Sequence, residues 1–193
     1  MAGQDDMFQQ ILKATSIQLT EARKSAIDWI KDKIKQLRGD RRVPQSKIFQ
    51  KSTLPEIGSM YLFEYDPKHK DKLPFWDTYP LVIPIHYYND GFLGINLHYL
   101  PPNARIALLQ ELFKYTNNDK FDRTTRINVS YNTLKRFSVQ LSGDNGILKR
   151  YLFGHVRSSF NQVAPGEWIQ AASLPLQRWQ QNSSPKLRKS PPY

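Results

Sequence analysis

The sequence predicts an α+β fold: a small bent antiparallel sheet or barrel with several short helices, an N-terminal helical arm and a basic C-terminal tail. Three observations predict it. Apolar residues recur at helical spacing through about the first forty positions. Aromatic and β-branched runs flank a strong hairpin signal between Met60 and Leu100. Lys, Arg, Ser and Pro crowd the last twelve residues. These divide the chain into an amphipathic helical arm (1–39), a basic linker (40–57), an α+β core (58–181) and a basic tail (182–193).

The arm reads as one long helix from about Asp6 to Leu37. Its stripe contains Met7, Ile11, Leu19, Ala22, Ala26, Ile30, Ile34 and Leu37. Asp5 and Asp6 suit the positive end of the helix dipole, Lys33, Lys35 and Arg38 the negative end, and Gly39 stops it. A thin stripe and a basic opposite face fit a partner subunit, the chain's own core or a membrane surface. Asp28 and Asp32 interrupt the basic face and weigh against the membrane. The partner-subunit reading is favoured, with Ile11, Leu19, Ile30 and Ile34 as packing residues. The linker that follows holds Arg41, Arg42, Lys47, Lys51 and two prolines, and shows little periodicity.

Three strands are expected in the core: Met60–Tyr65, Leu81–Tyr88 and Phe92–Leu100. Asn89-Asp90-Gly91 is the hairpin turn, since Asp-Gly readily takes the positive φ of a tight turn. Pro80 and Pro84 cannot donate to a sheet, so the second strand is expected at an edge or a bend. Pro101-Pro102 ends the sheet, and Asn103 is expected to cap a helix reaching Tyr115. Ile127–Phe137 reads as a further helix. A short helix is expected from Leu148 to Phe160, and another from Glu167 to about Leu174.

The chain has 193 residues, 39% hydrophobic, with 10 Phe, 10 Tyr and 4 Trp, enough for one packed domain. The absence of cysteine excludes disulfides, thiolate nucleophiles and Cys-based zinc sites. No apolar run approaches a membrane span, and the N-terminus lacks the pattern of a signal peptide, so the chain is read as soluble and unsecreted. The net charge is +11. It divides as +4 over Met1–Ile57, −1 over Gly58–Tyr115 and +8 over Thr116–Tyr193. The neutral centre carries the fold and the basic flanks attract polyanions, unless they are only a solvated surface.

Catalytic patterns are missing. Of the histidines, only His86 and His98 could meet across the hairpin, and two imidazoles without a carboxylate do not make a metal site; His98 is expected in the core or at an edge. No Gly-x-Ser-x-Gly elbow or phosphate loop occurs. Asp66, Asp71 and Asp77 match no calcium-loop spacing. No enzyme activity and no cofactor are therefore expected. The candidate site is basic: Arg41, Arg42, Arg123, Arg126, Lys135, Arg136, Lys149, Arg150, Arg157, Lys186, Arg188 and Lys189. In the last third these cations interleave with Phe121, Tyr131, Phe137, Tyr151, Phe153 and Phe160. Cations neutralise phosphates and aromatics stack on exposed bases. Equally, such aromatics pack cores while their charged neighbours face water or another subunit.

The block from Gly58 to Pro84, the segment Gly91-Phe-Leu-Gly-Ile-Asn-Leu-His-Tyr-Leu-Pro-Pro102, Arg150-Tyr-Leu-Phe-Gly-His-Val-Arg157 and Pro165-Gly-Glu-Trp168 together resemble a family of virion proteins of T-even-like contractile-tailed bacteriophages. The resemblance runs from about Leu54 to Leu176. Members of that family are described as DNA end protectors or as tail or baseplate hub proteins. It implies a non-enzymatic particle component of the contractile tail or neck, found in the virion and, during assembly, in the host cytoplasm. Its implied partners are other tail, neck or baseplate proteins and the end of the viral double-stranded DNA, with no membrane. The tail or hub role is the main expectation. The alternative is an end protector that shields the genome terminus from host exonuclease.

Overall fold

A central antiparallel sheet divides the molecule, with helices on one face and a cluster of aromatic rings on the other. The computed structural model describes residues 3–39, 54–68, 76–116, 120, 122–140 and 147–176. In chain order the elements are α1 (Gly3–Lys13), α2 (Ser16–Gly39), β1 (Met60–Leu62), β2 (Leu81–Tyr88), β3 (Gly91–Asn96), α3 (Pro102–Thr116), α4 (Arg123–Gln140), β4 (Leu148–Leu152), β5 (Asn161–Val163) and α5 (Trp168–Ser173). The predicted α+β class is what forms.

The sheet order is β4-β3-β2-β1-β5, and each neighbouring pair is antiparallel. It is an open sheet rather than a closed barrel. Strand β2 is its middle strand, not an edge. The bend, the other expectation, is what accommodates its prolines: Pro80 precedes the strand, and Pro84 adjoins a register shift between Pro84 and His86. The hairpin pairs Tyr88 with Gly91 around Asn89-Asp90. Gly91 does not take a positive φ, which among the described glycines belongs to Gly58 at +85°. A Cβ on Gly91 would instead lie 2.1 Å from the Tyr151 carbonyl oxygen, so glycine is needed for the close approach of β4.

Four local expectations are corrected. The long N-terminal helix is two helices, because Thr15 and Gln18 form a reciprocal cap. The Thr15 N–H donates to Gln18 Oε1 at 2.9 Å, and the Gln18 N–H donates to Thr15 Oγ1 at 3.4 Å. Helix α3 begins at Pro102 rather than being capped by Asn103, and a proline suits the first helical position. The strand from Met60 ends at Leu62, and Tyr65 makes only an isolated bridge to Val156. The segment 148–160, expected as a helix, is strand β4 followed by a 3-10 turn at Phe153–His155, and strand β5 starts just beyond it at Asn161. The free edge of β3 offers hydrogen-bond partners over five residues, from Gly91–Leu152 to Ile95–Leu148. That outweighs weak helical propensity.

The expected outward contacts of the N-terminal segment are also corrected. Phe8, Ala26, Ile30 and Leu37 are buried, and Ile11, Trp29 and Ile34 pack against the same apolar core as Leu81, Ile83 and Ile95 of the sheet. Ile11 and Leu19 line a groove with Ile106 and Leu174 of the same chain. Polar ties hold α2 in place. Trp29 Nε1 donates to Glu167 at 3.0 Å, Lys33 Nζ bridges the same carboxylate at 2.7 Å, and Arg38 Nε donates to Tyr79 Oη at 3.0 Å. A thin stripe suffices because α5, with its small Ala171 and Ala172, lets α2 come close. Residues 40–53 of the linker and the tail 182–193 lie outside the described residues.

On the opposite face of the sheet, Tyr61, Phe63, Tyr65, Val82, Phe92, Tyr151 and Val156 form a second core, joined by Phe153 and Phe160. Phe63 is at its centre, with ring centroids of Tyr151 and Phe160 at 5.4 and 5.0 Å.

Candidate nucleic-acid interface

Helix α4 contains four cations and no acid: Arg123, Arg126, Lys135 and Arg136. Asp122 starts it, accepting from the Thr125 N–H at 2.8 Å and from the Thr125 hydroxyl at 3.0 Å. These bonds hold the Asp122 carboxyl below its ordinary pKa. Ser130, Thr133 and Leu134 turn inward. Ser130 lies against Gly58, where an added Cβ would approach its Cβ to 2.6 Å. Arg123 Nε reaches Glu56 at 2.9 Å and Arg126 Nη1 reaches the Thr116 carbonyl at 3.4 Å, so these two cations fasten the helix. The outward face, with Asn128, Asn132, Lys135 and Arg136, is exposed. Two adjacent cations with amide donors one and two turns away, and no carboxylate on the helix, form a surface that a phosphate backbone would accept.

The remaining predicted cations do not join into one patch. In β4, Lys149 opposes Gly94 and Arg150 opposes Leu93, so the two side chains leave opposite faces of the sheet. Lys149 Nζ lies 4.8 Å from the Tyr99 ring centroid. Burial pushes its pKa down to about 8, against the opposing pull of Asp77. Arg150 pairs with Asp90 and lies 4.4 Å over the Tyr88 ring. Arg157 donates to the Gly154 carbonyl at 2.9 Å and approaches Asp66 at 3.5 Å. Arg41, Arg42, Lys186, Arg188 and Lys189 fall outside the described residues. Of the interleaved aromatics, Tyr151 is 2% exposed within the second core, and the half-buried Phe153 and Phe160 pack against that same cluster, so these three serve the fold.

Sequence reasoning missed a buried polar network beside β4. Asp77 is 5% exposed and accepts from Asn96 Nδ2 at 2.6 Å and Tyr99 Oη at 2.5 Å, with His98 Nδ1 at 3.5 Å. Asn96 Nδ2 also donates to Tyr151 Oη at 3.1 Å. Burial opposes the Asp77 charge, but His98, Lys149 and Tyr99 outweigh it and lower the pKa to about 2. The network ties the 76–79 segment, β3 and β4 together. His98 is a core residue, as expected. His86 is exposed near the hairpin tip, so the register keeps the two histidines apart. Among the described residues no group of three or more His, Cys, Asp or Glu could hold a metal ion, and no helix is long and apolar enough to cross a membrane.

Also missed was Arg105, which is fully buried in α3 and donates to the carbonyls of Leu100, Ala171 and Leu174 at 3.0, 3.2 and 2.6 Å. It terminates α5 by satisfying its last carbonyls. No pattern signals such a role, because the acceptors are backbone atoms and two of them, on Ala171 and Leu174, lie 66 and 69 residues away. Comparison with curated proteins and with solved structures gave no significant match to either. The chain belongs to the family of the phage T4 terminal DNA protecting protein, which matches residues 4–188.

Proposed function

We propose that this bacteriophage protein binds the ends of the viral double-stranded DNA without catalysis, travels with that DNA in the virion and shields it from host exonuclease. Family membership over nearly the whole chain carries the reading. It supports the end-protector alternative; the tail or baseplate hub role expected first receives no support from it and is set aside. The acid-free outer face of α4 agrees in chemistry, since Lys135 and Arg136 can displace counterions from phosphates and Asn128 and Asn132 can donate hydrogen bonds to them. Contacts with other virion proteins belong to the same proposal, through the flanks whose charge is +4 and +8.

The test is protection of a linear blunt-ended duplex from a processive double-strand exonuclease. Purified protein is expected to slow digestion in proportion to end occupancy, and to lose the effect steeply as salt rises. Unchanged digestion at low salt and saturating protein would overturn the reading.

A further inference from the structure

A protein that protects a DNA end must tell the end from the interior. Phosphates and grooves occur all along a duplex, whereas an end adds the bare π face of its last base pair. Recognising that face calls for an exposed, rigidly held planar group. Tyr88 is the most exposed Phe, Tyr or Trp side chain among the described residues, at 40%. It stands beside the tip of the β2–β3 hairpin, two residues from His86, so both rings leave the same face of the strand. The His86 ring meets Tyr88 edge-on at 5.0 Å, and the Arg150 guanidinium lies over the Tyr88 ring at 4.4 Å. The support beneath is fixed. Asp90 pairs with Arg150, and the Asp90 carbonyl accepts the Phe153 N–H at 2.9 Å.

We propose that Tyr88, backed by Arg150 and His86, is a stacking platform for the exposed face of the terminal base pair of a DNA duplex; this rests on the end-binding reading above. The charge balance at the tip favours stacking over phosphate binding, because Asp90 already neutralises Arg150. Among the described residues the other large exposed apolar side chains, Leu12 and Ile17, are aliphatic and offer no planar surface. Stacking on an aromatic side chain tolerates any base, which suits a terminus of arbitrary sequence. A ring already ordered by its neighbours loses little freedom on binding.

The experiment measures binding of the full chain to a labelled blunt duplex and to the same duplex closed at both ends by hairpin loops. Wild type is expected to prefer the open duplex. Tyr88→Ala is expected to weaken open-duplex binding about tenfold. It should leave closed-duplex binding, the salt dependence and the melting temperature unchanged. Tyr88→Trp keeps a planar ring and is expected to retain the preference. The platform is overturned if Tyr88→Ala keeps the full open-over-closed ratio, or if Tyr88→Trp loses it as Ala does; in both cases end binding itself stands. A wild-type chain indifferent to end closure overturns the platform and the end-binding reading together.

Discussion

Replacing Asp77 with Asn removes one buried charge and leaves the shape of the side chain. Asn stands in for the protonated acid, so its cost at neutral pH follows from the proton equilibrium. The Asp77 pKa falls from 3.8 to about 2 on folding, and at 1.36 kcal/mol per unit that is about 2 kcal/mol. A depressed carboxyl pKa stabilises the fold above the unfolded value of 3.8 and loses that contribution as pH falls towards about 2. Wild type should therefore exceed Asp77→Asn by about 2 kcal/mol at pH 7, and the gap should close between pH 4 and 2. Urea unfolding followed by fluorescence of the four tryptophans gives the readout. With a slope of about 2–3 kcal/mol per molar, the midpoint should drop by about 0.7–1 M. A drop below about 0.3 M, or a gap that stays constant as pH falls, would refute the account of the network. The variant also removes the Asp77 charge that supports the Lys149 ammonium, so Lys149 should lose its proton at a still lower pH.

Arg105→Met should lower stability by about 3 kcal/mol or more, because three buried carbonyls lose a charged donor. In thermal unfolding this is a fall of about 6–12 °C in Tm, and a fall under 2 °C would show that the carbonyls find other partners. Phe8→Ala tests whether α1 is docked. Phe8 is 2% exposed and meets Phe113 edge-on at 6.2 Å, so the loss should be about 3 kcal/mol; an unchanged unfolding curve would restore the partner-subunit expectation for this segment.

The fold class, the hairpin and four of the helices could be read directly, because period and turn chemistry are local. Asn89-Asp90-Gly91 marks its turn whatever surrounds it, and α4 keeps its helical repeat from Asp122 onward. The family resemblance was legible over Leu54–Leu176, while the family match extends to both sides of that range. The residues 148–160 were misread because their pattern is ambiguous between helix and strand, and only the open edge of β3 decides it. The basic cluster was legible as composition but not as a surface. Alternation along β4 sends Lys149 and Arg150 to opposite faces, and Asp77, Asp90 and Asp66, all earlier in the chain, engage three of the cations.

What the sequence determined by itself is whatever nearest neighbours along the chain dictate: the type of most elements, the place of the hairpin turn, an acid-free basic helix and the absence of cysteine chemistry. What only the tertiary structure decided is which groups are left over after packing. Ile30 is used by the chain's own core, Tyr151 is used by the second core, and Arg105 is consumed by the carbonyls of Leu100, Ala171 and Leu174. Tyr88 and the Lys135–Arg136 pair remain exposed. Burial and pairing depend on contacts between residues tens of positions apart, and the free energy of such a contact is set by the neighbours that exclude water from it rather than by the residue itself.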